Sequence, residues 1–145
     1  MTARHGTLIV IADGEHARFV QPAENHALHT VASFDALTAH QRTSDLGDDA
    51  PGATYHTGST AHHALNPHHD RHRLEMESFG KFVARQINEW DQAYEKLLVI
   101  APSHSNASIT SHLKPETKAK IIGVIRKDLT KTPDSALKDH IEYIV

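Results

Sequence analysis

A chain of 145 residues with 39% apolar and 23% charged side chains is the size of one domain and carries enough apolar material for a core. It has no Cys, which excludes disulfides, thiolate-ligated zinc, iron–sulfur clusters and thiol catalysis together. The net charge of −3 gives no basic field to hold nucleic acid nonspecifically, yet 14 His added to −3 would carry the chain to +11, so its sign changes between about pH 8 and pH 5.

The run TLIVIA over residues 7–12 is short, apolar and β-branched, which predicts a strand buried on both faces. Asp13-Gly14 follows as a hairpin signal. In residues 16–20, Ala17 and Phe19 alternate with His16, Arg18 and Val20, and 28–34 reads as a third strand. Residues 38–70 break the pattern: Gly, Pro, Asp and Asn abound and large apolar side chains almost vanish, which predicts one long, mobile, His-rich loop. Over 74–97, Met76, Phe79, Val83, Ile87, Trp90, Tyr94 and Leu97 recur at spacings of three and four, the stripe of an amphipathic helix, with Asp70 as its cap. Gly80 inside it costs about 1 kcal/mol against Ala unless a neighbour packs close there. LLVIA over 97–101 is a second buried strand, 105–113 a short helix, and Pro115 opens a further helical turn. Residues 120–129 read as a strand. Thr132-Pro133-Asp134 then opens a last helix with Leu137, Ile141 and Ile144 on its buried stripe.

The expected order is therefore βββ-loop-αβαβα. Helices between the later strands imply parallel neighbours, giving a three-layer mixed α/β sheet of about five strands in a single domain, 1–145, with the loop 38–70 within it. No apolar stretch approaches the roughly 18 residues of a membrane span. Residues 1–6 lack the pattern of an export leader, so the expected compartment is the cytoplasm.

Three stretches resemble the bacterial host-attachment protein family. Residues 8–19, Leu8 through Asp13-Gly14 to Ala17-Arg18-Phe19, look like its opening; Ile100-Ala101-Pro102 resembles the strand end after its long helix; Lys127-Asp128-Leu129-Thr130, with Pro133 and Leu137 beyond, resembles its KDLt signature. The resemblance implies an RNase H-like fold similar to the middle domain of archaeo-eukaryotic release factors. There the loop after the third strand carries Gly-Gly-Gln. Here that loop holds only Gln41, with no glycine beside it, so peptide release does not carry over. The family's Leu-Gly and Arg after the strand-ending Pro are replaced by Asn106-Ala107 and Thr110.

Three constellations bear on chemistry. His56, His62, His63, His68, His69 and His72 lie within 17 positions, near Asp48, Asp49 and Asp70; imidazoles and carboxylates suit Zn or Ni, so the loop is a candidate for adventitious metal capture, set against a plainly solvated segment. Asp13 and Asp128 with Glu75 or Glu77 could form a Mg²⁺-binding acidic set, although Asp13 is explained by its turn and Asp128 by local pairing or turn capping. Ser103-His104-Ser105 follows an apolar strand, where α/β sheets place ligands, and with Lys127 and Asp128 forms a candidate contact for a small ligand or an RNA phosphate; the plainer reading is a serine cluster capping the helix.

These residues form no catalytic constellation, no resident cofactor is expected, and the reading leans away from an enzyme. The expected function is that of a non-enzymatic host-attachment-type protein acting through an unidentified protein partner. The alternative is a translation-associated, release-factor-like factor that binds ribosome or tRNA through its basic C-terminal third without releasing peptides.

Overall fold

The computed structural model describes residues 6–37, 39, 67–90 and 94–141, with only the backbone described for 67–70. The elements are β1 (Thr7–Ala12), β2 (His16–Pro22), β3 (Leu28–Asp35), α1 (Pro67–Asn88), β4 (Lys96–Ile100), α2 (Ser103–Ser111), α3 (Pro115–Lys118), β5 (Ile121–Ile125) and α4 (Asp134–Ile141).

One five-stranded sheet runs in the order β3-β2-β1-β4-β5. β1 pairs antiparallel with β2 (Ile9 opposite Val20, Ala12 opposite Ala17) and parallel with β4 (Val10 beside Val99). β2 pairs antiparallel with β3 across a bulge at Phe19/Val20, and β5 joins β4 in parallel. β1 lies in the middle and is buried at every position, as a continuous apolar run requires. Its alternate residues serve two cores. Leu8, Val10 and Ala12 pack with Phe79, Val83 and Ile87 of α1 and Ile109 of α2. Ile9 and Ile11 pack on the opposite face with Leu129 and with Leu137 and Ile141 of α4. The result is the expected three layers, with α1 and α2 on one face and α4 on the other.

The β1–β2 turn is held by Asp13, whose Oδ1 accepts the N–H groups of Glu15 and His16 at 2.8 and 2.7 Å. The Asp13 N–H closes it onto the His16 carbonyl. Gly14 does not occupy the left-handed region; a Cβ there would stand 2.9 Å from Met76 Cγ, so any larger residue would push the flexible Met76 side chain of α1 aside. The β2–β3 turn closes with Ala23 N–H on the Ala27 carbonyl and puts His26 at φ 70°, the left-handed position that ends a three-residue hairpin loop.

Several expected boundaries move. The long helix spans 67–88 rather than 74–97, so Asp70 lies inside it and does not cap it, and residues 67–70 leave the expected loop. Apart from Ala39, the rest of 38–66 lies outside the described residues. At the other end, Asn88 closes the helix against the chain beyond α2, its side-chain oxygen accepting the Lys114 N–H and its amide donating to the His112 carbonyl. Trp90 and Tyr94 keep the helical spacing yet lie past the end, because each returns to the same core: Trp90 packs edge-on against Phe19 at 5.0 Å, and the Tyr94 hydroxyl donates to the Ile87 carbonyl. The strand expected over 120–129 ends at Ile125; residues 126–133 turn back so that Leu129 reaches the α4-side core. The short helix begins at Ser103 and has Pro102 at its cap with no side-chain cap bond, so the serines do not cap it. Ile144 lies outside the described residues. Gly80 is the point of closest approach between α1 and α2: a Cβ there would collide with the Ser108 hydroxyl and stand 2.7 Å from Ser108 Cβ.

Candidate functional site

Because β1, β4 and β5 are parallel, the segments leaving them meet at one end of the sheet: Asp13 after β1, Pro102-Ser103-His104 after β4, and residues 126–131 after β5. Open α/β sheets bind ligands at such carboxyl ends. Two polar assemblies organise this edge.

The first centres on Arg18 of β2, which points to the α4 face. Its Nη1 donates to the Thr130 carbonyl at 2.6 Å, its Nη2 to the Thr132 carbonyl, and its Nε to Asp134 Oδ1 at 3.3 Å. Asp134 also accepts the Thr30 N–H at 2.8 Å and the Thr30 hydroxyl. One guanidinium thus fastens the β5–α4 loop to the sheet, and one carboxylate fastens the start of α4 to β3. The rigid fork of Arg suits several acceptors at fixed angles, which an ammonium group could not serve together.

The second centres on Thr130. Its hydroxyl donates to Asp128 Oδ1 at 2.6 Å and stands 3.3 Å from Asp13 Oδ2, while its N–H also donates to Asp128. Asp128 therefore caps a turn, and the two hydrogen bonds from Thr130, assisted by the positive charge of Lys131, hold its carboxyl below the ordinary range despite some burial. His16 lies beside Asp13, Nδ1 to Oδ1 3.7 Å. Next to these groups a cavity of about 360 Å³ opens over β2 and β3, lined by residues that include Ile11, His16, Arg18, Ser33, Thr130 and Lys131.

Of the residues singled out from sequence, Ser103, His104, Lys127 and Asp128 are exposed at this edge, whereas Ser105 is buried. Buried Asn106 ties the neighbouring strand ends together, its amide donating to the Ala101 and Ile125 carbonyls at 3.1 and 3.3 Å. Glu75 and Glu77 line two other clefts on the α1 side. His56, His62 and His63 lie outside the described residues. His68, His69 and His72 fall on the first turns of α1, with His68 and His72 four residues apart on the helix, a spacing the expected loop did not provide. Among the described residues no group of three or more His, Asp or Glu is placed to hold a metal ion.

Sequence reasoning missed Arg18, Thr30 and the bridging role of Thr130. Arg18 and Thr130 do lie inside stretches that resemble the family, and that was the available signal. Fold and site define a small α/β protein whose polar edge is a hydrogen-bonded clamp beside a ligand-sized cavity. The chain belongs to the family described as "Protein required for attachment to host cells", whose pattern matches residues 8–141. No curated protein matches the chain. No helix among the described residues is long and apolar enough to cross a membrane.

Proposed function

We propose that this protein performs a host-attachment-type role without catalysis, by holding a partner at the carboxyl edge of its sheet. The observation that carries the reading is the commitment of the edge's charged groups to structure. Asp13 and Asp128 accept turn N–H groups, and Arg18 and Asp134 lock a loop and a helix start to the sheet. Carboxylates bound in this way position a surface rather than await a substrate or metal. The exposed groups left to meet a partner are Ser103, His104 and Lys127, with the cavity beside Lys131; Ser105 drops out because it is buried. The test is complementation of a strain lacking the protein. A His104→Glu, Lys127→Glu variant that folds normally should fail to restore attachment to host cells. Full restoration by that variant would remove this surface from the role.

A second reading has one observation in its favour. The strand order β3-β2-β1-β4-β5, with β2 antiparallel to both its neighbours and β1, β4 and β5 parallel, supports the RNase H-like, release-factor-like arrangement that the resemblance implies. Under this reading the protein binds ribosome or tRNA. Its test is co-sedimentation with ribosomes at low and at moderate salt, since phosphate contacts weaken steeply as salt rises. No co-sedimentation at low salt rejects it.

A further inference from the structure

We propose that the outer edge of β5 takes an extended peptide segment with acidic flanks as a sixth strand. This does not rest on the preceding readings, which concern the carboxyl edge, although Lys127 belongs to both surfaces.

β5 ends the sheet, and no strand lies beyond it among the described residues. The Ala101 N–H bonds to the Ile125 carbonyl at 3.0 Å, so Ile125 turns its backbone toward β4. Backbone groups alternate in direction along a strand, so Val124 presents its N–H and carbonyl outward. Such an outward row, unpaired by any strand among the described residues, is the template for strand addition, in which backbone bonds supply affinity and alternate side chains supply selectivity. Ile122 is 40% exposed, whereas the other large exposed apolar side chains, Leu37 and Leu74, lie off the sheet.

Charge selects the occupant. Between Glu116 and Asp128 the chain has four cations, Lys118, Lys120, Arg126 and Lys127, and no acid, although the protein as a whole is at −3. They bracket the strand at both ends. Lys118, Arg126 and Lys127 are exposed, and the Lys120 ammonium stands 4.3 Å over the Tyr94 ring. A second copy does not fit: antiparallel self-pairing about Gly123 would set Lys120 against Arg126 twice, and like charges directly opposite are destabilising. A segment with apolar and β-branched residues at its centre and Asp or Glu at both ends satisfies the backbone, Ile122 and the cations together.

The probe is a synthetic nine-residue peptide of alternating Val and Thr flanked by paired Glu, titrated into the isotope-labelled full chain and followed by amide resonances. The expected result is saturable binding tighter than about 1 mM, with shifts centred on residues 121–125. The same peptide with Lys flanks should not bind. Arg126→Glu combined with Lys127→Glu, both exposed, should weaken binding by about tenfold or more. Val124→Pro removes only an outward N–H, a substitution edge strands tolerate; it should abolish binding, and the charge-reversal pair serves as the test if it does not fold. No shift at millimolar peptide, equal binding of the Lys-flanked peptide, dimerisation through residues 121–125, or a short RNA taking the same resonances where the peptide does not would each overturn the proposal.

Discussion

Replacing Gly80 with Ala tests the packing of α1 on α2 most sharply, because helix propensity and packing predict opposite signs. In a free helix the change would stabilise by about 0.8–1 kcal/mol. Here the new methyl would collide with the Ser108 hydroxyl and stand 2.7 Å from Ser108 Cβ and 3.4 Å from the Ile109 nitrogen. Ordinary carbon contacts lie at about 3.5–4.0 Å, so the helices must separate by roughly 1 Å. The crossing cannot relax by rotating a flexible tip, since a Cβ and a backbone nitrogen are in the way. Separation loosens Val83 and Ile109, both fully buried, and lengthens the bond from the Ser108 hydroxyl to the Glu77 carbonyl, now 3.3 Å. Overpacking of this kind costs about 1–3 kcal/mol, which outweighs the propensity gain. The expected net loss is about 1 kcal/mol, within a range of about 0–2, a fall in Tm of roughly 3 °C at this chain length. Urea unfolding followed by Trp90, the chain's single tryptophan, reads it directly. Adding Ser108→Gly removes the obstruction, and the cycle should return a favourable coupling of about 1 kcal/mol. A Gly80→Ala variant more stable than the parent would refute the close approach.

The other expectations concern the turns and the carboxyl edge. Arg18→Met should cost about 2–3 kcal/mol in urea unfolding, because it strands Asp134 and two carbonyls in a partly buried place, and Arg18→Lys about 1–2, since an ammonium cannot serve all of them. The lowered carboxyl pKa of Asp128 means that its stabilisation is fully present above the unfolded value near 3.9 and fades as pH falls through the lower folded value. The stability gap between the parent and Asp128→Asn should therefore hold at pH 6 and shrink below about pH 4. His26→Gly should stabilise by up to about 1 kcal/mol in thermal melts by relieving a left-handed backbone, and a loss would place the strain elsewhere. Equilibrium dialysis at pH 7.5 tests Zn²⁺ capture by His56, His62, His63, His68, His69 and His72; no binding below about 0.1 mM ends that idea.

The layers were legible because their signals are periodic. TLIVIA and LLVIA announce strands covered on both faces, and Phe79, Val83 and Ile87 announce one buried helix stripe, whose expected member Met76 stays half-buried outside the core. The helix ends were not, because Trp90 and Tyr94 keep a helical spacing while reaching the core from irregular chain, and a pattern of apolar spacing cannot distinguish the two. The flat serine cluster of α2 gave no hint that Asn106 would bridge two strand ends. The turn role of Asp13, and turn capping as one of the alternatives for Asp128, are legible because a short carboxylate before turn N–H groups explains itself locally. Arg18 could not be read so. Its acceptors lie more than a hundred residues away in sequence, and an Arg on the polar phase of a strand looks the same whether it clamps a loop or meets water.

That clamp also makes the two edges of the sheet unlike. At the β3 edge, α4 is anchored by Asp134 to the Thr30 N–H and hydroxyl, and Leu28 packs into the core that contains Leu137 and Ile141. A bulge interrupts the β2–β3 register. These are the devices by which a sheet discourages further pairing. At β5 the protection is of a different kind: the strand is short and its guards are charges, Lys118, Arg126 and Lys127. Charge excludes by sign, so the same cations that turn away a second basic edge admit an acidic one. An edge closed by packing accepts nothing, whereas an edge closed by charge selects. Exchanging Arg126 and Lys127 for Glu should therefore reverse the preference at β5 toward basic-flanked segments and leave the β3 edge as it was.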